Sequence, residues 1–127
     1  MTTIEVETLR EWLEQGRPVT VLDVRPAHER AEWAIPGSVH IDAYEALKAN
    51  DPGALSGVEL PGDAPVVTVC AAGKTSRTAA EQLRRRGVPA VSLRGGMKAW
   101  SLAWNSAEVA LSNDNARVIQ VRRTGKG

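Results

Sequence analysis

The chain has one cysteine, Cys70, in 127 residues, so no disulfide can close within it. A domain of this length buries one core without staples, and cysteine use this sparse fits a reducing compartment. Neither sign of charge is in excess: 16 Lys and Arg stand against 15 Asp and Glu, a net charge of +1. That balance supplies no bulk attraction to nucleic acid or to a membrane surface. The triplet Arg84-Arg85-Arg86 reads as a solvated helix face. No apolar stretch approaches membrane-spanning length. Met1-Thr2-Thr3-Ile4-Glu5 has no basic segment leading into an apolar run, so no signal peptide is read. The expectation is a cytoplasmic protein with neither a nucleic-acid nor a membrane partner.

Several chemical signatures are missing too. The two histidines, His28 and His40, lie in a different segment from Cys70 and show no ligand spacing, so they read as structural and no metal is expected. No Ser/His/Asp or Cys/His triad can be picked out. There is no Walker-type loop, and Gly95-Gly96 is too short for a dinucleotide fingerprint. No cofactor is expected.

What is present is an alternation of strands and helices. Glu5 to Gln15 reads as a helix, with Leu9, Trp12 and Leu13 as its apolar stripe and Gly16 as its stop. Val19 to Val24 reads as a buried strand ending at Arg25-Pro26. A short helix is expected over Ala27–Trp33, a turn at Ile35-Pro36-Gly37, a short strand over Ser38–Ile41 and a helix over Ala43–Ala49. Asp51 to Pro65, rich in Gly, Pro and Asp, reads as an exposed connector. Val66-Val67-Thr68-Val69-Cys70 is a second buried strand. A loop from Ala71 to Lys74 leads into a helix that Thr75 or Ser76 opens and caps. It runs to about Arg86, with Gly87 ending it. Ala90–Leu93 is another strand, and Gly95-Gly96 turns the chain into a last helix carrying Trp100. Trp12, Trp33, Trp100 and Trp104 read as core or rim packing. The pattern predicts an α/β domain: a mostly parallel five-stranded sheet with helices on both faces. Reactive groups in such sheets gather at the carboxyl ends of the strands, and Cys70 stands at one.

The sequence around Cys70 suits a thiolate. Small residues at Ala71, Ala72 and Gly73 let the backbone curl around a bulky anion. Loop N–H groups can converge on the sulfur as a nest, beside the positive end of the next helix. Lys74 adds charge, and Thr75 and Ser76 add hydroxyl donors. Each favours the ionised form that makes a cysteine nucleophilic. A lone cysteine after an apolar strand is otherwise a small buried hydrophobe, and the loop composition together with the strand–loop–helix context outweighs that reading.

Over about residues 4 to 104 the chain resembles the rhodanese homology family. One patch is Leu22-Asp23-Val24-Arg25-Pro26, followed by Glu29 and Ile35-Pro36-Gly37-Ser38. A second is Cys70-Ala71-Ala72-Gly73-Lys74-Thr75-Ser76, followed by Ala79-Ala80 and Leu83. A third is Leu93-Arg94-Gly95-Gly96-Met97-Lys98-Ala99-Trp100. The resemblance implies a sulfurtransferase in which Cys70 takes sulfane sulfur from thiosulfate or a persulfide. Cys70 becomes a persulfide and passes the sulfur to a thiol or cyanide, in two half-reactions. The partners implied are a small-molecule sulfur donor and a thiol acceptor. Residues Ala71, Ala72, Gly73, Lys74, Thr75 and Ser76 would bind substrate and stabilise the anionic sulfur. Asp23 and Arg25 would be structural, as an ion pair or a tie between loops.

The chain departs from the family where many members carry a cation: Thr75 stands where Arg is common, and Ala71 follows the cysteine directly. The missing charge fits a neutral or protein-bound persulfide better than thiosulfate. Ala34 replaces a His that commonly precedes Ile-Pro-Gly. The expected domain covers residues 1–106. Residues 107–127 form a tail whose strand-like part, from Ala116, is either an edge strand folding back or the first strand of a further domain. From Arg117 the tail resembles the opening of a metallo-β-lactamase-fold domain. The rival readings are a non-catalytic binding or regulatory module and a cysteine-dependent phosphatase or arsenate reductase. The latter needs an arginine to grip the oxyanion where this chain has Ser76.

Overall fold

The computed structural model describes residues 2–103 of the chain. Its elements are β1 (Thr3–Ile4), α1 (Val6–Glu14), β2 (Thr20–Asp23), α2 (Ala27–Glu32), β3 (Val39–His40), α3 (Tyr44–Lys48), β4 (Val66–Val69), α4 (Thr75–Arg85) and β5 (Ala90–Leu93). A last helix, α5, spans residues 96–103. The five strands form one sheet in the order β1-β5-β4-β2-β3, and every pair is parallel.

The apolar runs explain the layering. Successive strand residues face opposite sides, so a strand covered on both faces must be apolar throughout. β4 is the central example: all four of its residues are buried. Val66 joins a core with Leu22, Leu47, Ala79 and Leu83, beneath α3 and α4. Val67 and Val69 join the opposite core with Val6, Leu9, Met97 and Trp100, beneath α1 and α5. Helices thus cover both faces, as expected.

Three details differ from the sequence reading. β1 falls just before α1 and pairs with β5 as an edge strand; two residues are too few to show a period. Leu13 is exposed, and Val6 with Leu9 carries the buried face of α1. The connector over residues 51–65 is not wholly exposed, because Leu55 is buried within the α3/α4 core. Of the tryptophans, Trp100 is buried and Trp33 exposed, while Trp12 packs at the rim. Trp104 and residues 107–127, with the strand expected there, lie outside the described residues. Among the described residues no helix is long and apolar enough to cross a membrane.

Asp23 ends β2, opposite Val69 in register, and is buried together with Arg25. The Arg25 guanidinium holds both carboxylate oxygens, Nε donating to Oδ1 at 2.9 Å and Nη2 to Oδ2 at 2.7 Å, and the Arg25 backbone N–H donates to Oδ1 at 3.1 Å. The guanidinium also reaches the carbonyl oxygens of Glu29 and Trp33, tying α2 to the strand ends. His40 places Nε2 2.8 Å from the Arg25 carbonyl oxygen. Asp23 and Arg25 thus form an ion pair. A buried charge that loses its partner costs about 3–5 kcal/mol. Arg25→Met is expected to lower unfolding free energy by at most about that much in urea titration, because Arg30 Nη1 still lies 3.8 Å from Asp23 Oδ2. Unchanged stability would show that the pair is not structural.

Candidate active site

Cys70 follows β4 directly at the carboxyl edge of the sheet and is 4% exposed. A parallel strand in the middle of a sheet hands its chain to a crossover, and here the crossover begins with a tight turn into α4. The turn folds back on the sulfur. The Gly73 N–H donates to Cys70 Sγ at 3.1 Å and the Ser76 N–H at 3.3 Å. The thiol donates to Ser76 Oγ at 3.4 Å; when the proton leaves, that hydroxyl can turn and donate to the sulfur. Gly73 reaches this position at φ +97°, and a Cβ there would come within 3.0 Å of the Gly95 nitrogen.

The start of α4 corrects one expectation. Lys74 holds the N-cap position, and no side chain caps the helix. Ser76 is the second helical residue, where the N–H has no partner within the helix. Cys70 Sγ accepts that bond in place of a capping oxygen. The helix's positive end then favours negative charge on the sulfur. Burial raises the Cys70 pKa, but the hydroxyls of Ser76 and Thr75 and the N–H groups of Ser76 and Gly73 outweigh it. The net result is a thiol more acidic than usual.

Two buried hydroxyls stand behind this arrangement, and sequence reading missed both. Ser92 on β5 places its Oγ 2.7 Å from Ser76 Oγ. Thr68 on β4 donates to the Ser76 carbonyl oxygen at 2.6 Å. They are register partners in the β4/β5 pair, and both are fully buried. The available signal was a single hydroxyl at the third place of each otherwise apolar strand. A further support comes from α5. Its Met97 and Lys98 N–H groups donate to the carbonyl oxygens of Cys70 and Ala71, at 2.8 and 3.0 Å. Gly96, at φ +60°, permits this approach, since a Cβ would lie 2.3 Å from the Cys70 oxygen. The glycine pair that is too short for a nucleotide loop therefore braces the cysteine loop.

Cys70 borders a cleft of about 300 Å³ between the loop and α3. Ala71, Ala72, Lys74 and Thr75 line it; Gly73 and Ser76 meet the sulfur without lining the cleft. Asp23 and Arg25 do not line it. Tyr44, Leu47 and Lys48 form the α3 side, which the sequence reading had not assigned to the site.

The family model for the Rhodanese-like domain matches residues 5–103. The chain is 34% identical over 102 residues to the probable adenylyltransferase/sulfurtransferase MoeZ of Mycobacterium tuberculosis, covering 79% of this chain and 24% of that protein. It therefore spans about a quarter of that relative's length. It is 31% identical over 100 residues to the putative sulfurtransferase YtwF of Bacillus subtilis, covering 76% of this chain and 87% of the relative. Among solved structures, a rhodanese-related protein from Thermoplasma volcanium superimposes with a TM-score of 0.67 at 28% identity, covering 81% of this chain and 93% of that one. The human single-domain sulfurtransferase TSTD1 gives 0.64 at 28% identity, covering 80% and 96%. None of these relatives is described as carrying a metallo-β-lactamase-fold domain, so the resemblance drawn from the tail is not borne out.

The hydrogen bonds to Sγ favour the ionised form of Cys70. A bond to a charged group is worth about 1.5 kcal/mol or more. Ser76→Ala is therefore expected to slow alkylation of Cys70 near neutral pH by about tenfold. Its rate–pH profile should move to higher pH. Ser92→Ala, which leaves the Ser76 hydroxyl without its orienting neighbour, should slow the reaction less, in the same direction. Wild-type rates in Ser76→Ala would show that the hydroxyl does not act on the sulfur.

Proposed function

Because this chain belongs to the rhodanese-like domain family, we propose that it is a sulfurtransferase carrying sulfane sulfur on Cys70 as a persulfide. The coarser part of this reading, a sulfurtransferase, is supported by relatives that bear that name. The finer part is carried by one observation: two N–H groups and a hydroxyl converge on Sγ where the thiol is buried and made more acidic.

In the first half-reaction the Cys70 thiolate attacks the outer sulfur of the donor. A new S–S bond forms, the donor's bond to that sulfur breaks, and its electron pair leaves with the remaining fragment. Cys70 keeps a persulfide anion. In the second, an acceptor thiolate or cyanide attacks the outer sulfur, and the pair of the broken S–S bond returns to Cys70. This is covalent catalysis with ping-pong kinetics. The anion alternates between one sulfur and the next, so the loop amides from Ala71 to Ser76 act as fixed donors for both states. Preorganised donors do not have to reorient during the reaction, and their strength grows as water is excluded.

A phosphatase reading has less support. The place that should hold the oxyanion-gripping arginine belongs to Ser76, which is buried and bonded to Sγ and Ser92. Arg77 is exposed and borders a different pocket, with Ser92 and Gly95. A pure binding module would have no use for donors gathered on a thiol.

The test is intact mass under non-reducing conditions after incubation with thiosulfate or with glutathione persulfide. The wild-type protein is expected to gain the mass of one sulfur atom, and Cys70→Ser to gain none. No gain from either donor would reject the carrier role and leave the binding-module reading in front.

A further inference from the structure

The cleft beside Cys70 has a second wall, and its chemistry bears on the donor. α3 is anchored by Leu47, buried in the same core as Cys70. That anchor fixes the neighbouring residues. Tyr44 and Lys48 are four apart, so they share one side of the helix, and both line the cleft. The Lys48 ammonium lies 5.6 Å from the centre of the Tyr44 ring, a spacing at which the ring face attracts a cation and limits its wandering. Lys74 lines the cleft from the loop side. The cleft thus has a lysine on each wall, while no Asp or Glu among the described residues lines it. Its remaining lining is uncharged: Leu47, Ala71 and Ala72, with Thr75 and Thr78, beside Cys70 itself.

We propose that Lys48, held against Tyr44, acts with Lys74 to select a small anionic sulfane-sulfur donor of the thiosulfate class. The proposal rests on Cys70 being the sulfur acceptor. An anionic donor must approach a thiolate, and like charges repel at contact distance even in water. Two ammonium groups around the cleft offset that repulsion; a neutral donor gains nothing from them. The cation that the loop lacks at Ala71 and Thr75 is thereby supplied from another helix. That reverses the donor preference the loop alone suggests. The step balances: the Cys70 thiolate bonds the outer sulfur of thiosulfate, the S–S bond of thiosulfate breaks, and sulfite leaves with its electron pair. Three negative charges enter, and three remain, one on the persulfide and two on sulfite.

The test separates anion recognition from sulfur transfer. Iodoacetate and iodoacetamide alkylate the same thiolate and differ by one negative charge, so their rate ratio reads the charge of the cleft. Lys48 is exposed, and its replacement does not threaten the fold. One unit charge at about 4 Å in water corresponds to about a fivefold effect. Lys48→Gln is expected to lower the iodoacetate-to-iodoacetamide ratio about fivefold, and Lys48→Glu further. For thiosulfate, kcat/KM should fall by a similar factor, mainly through KM. Tyr44→Leu should lower the ratio about twofold, with recovery in Tyr44→Phe, which keeps the ring. An unchanged ratio and an unchanged KM for thiosulfate in both Lys48 variants would overturn the proposal. Wild-type protein that takes no sulfur from thiosulfate would overturn the donor assignment. In that event a ratio that still depends on Lys48 locates the failure in the sulfur-transfer reading rather than in anion recognition.

Discussion

The site depends on a mutual need between a helix and a sulfur atom. α4 begins without a side-chain cap, so N–H groups of its first turn lack acceptors. Cys70 Sγ is buried, where an uncompensated anion is costly. Each answers the other: the Ser76 N–H, together with that of Gly73, finds its acceptor in the sulfur, and the sulfur finds donors that favour its ionised form. A Ser or Asp cap would satisfy the helix and leave the sulfur with fewer donors.

The rest of the fold holds these groups in place. The β4/β5 register sets Thr68 beside Ser92. Thr68 secures the Ser76 backbone, and Ser92 secures its hydroxyl. α5 grips the carbonyl groups of Cys70 and Ala71, which Gly96 makes possible by presenting no Cβ. At the neighbouring strand end the Asp23–Arg25 pair ties β2 to α2. The loop is therefore clamped on its strand, helix and carbonyl sides, while its remaining side is open to the cleft. Preorganisation of this kind is what allows a short loop to stabilise charge on a sulfur.

Much of this was legible in the sequence. The β-branched runs at Val19–Val24 and Val66–Val69 marked the buried strands, and the small-residue loop after Cys70 marked the nest. Local pattern fails where tertiary register decides. Ser92 looks like any strand serine until β5 lies beside β4. Lys48 looks like a solvated helix residue until Leu47 seats α3 against the core. Thr75 and Ser76 look like caps, and the sulfur takes that role only because the turn at Gly73 brings it there. β1 is too short to carry a period, and Leu55 is one apolar residue in a connector of turn formers. The resemblance marks Ala71 and Thr75 as places where many family members carry a cation. That Lys48 lines the same cleft was not legible, because it belongs to a helix more than twenty residues away in sequence.

The most direct test is the acidity of Cys70 itself. Thiolate absorbance in the ultraviolet, followed across pH with Cys70→Ser as the blank, reports the ionisation of this single thiol. The expected midpoint lies below the ordinary thiol value of about 8.5. A midpoint at or above that value would contradict it, because burial would then outweigh the donors gathered on the sulfur.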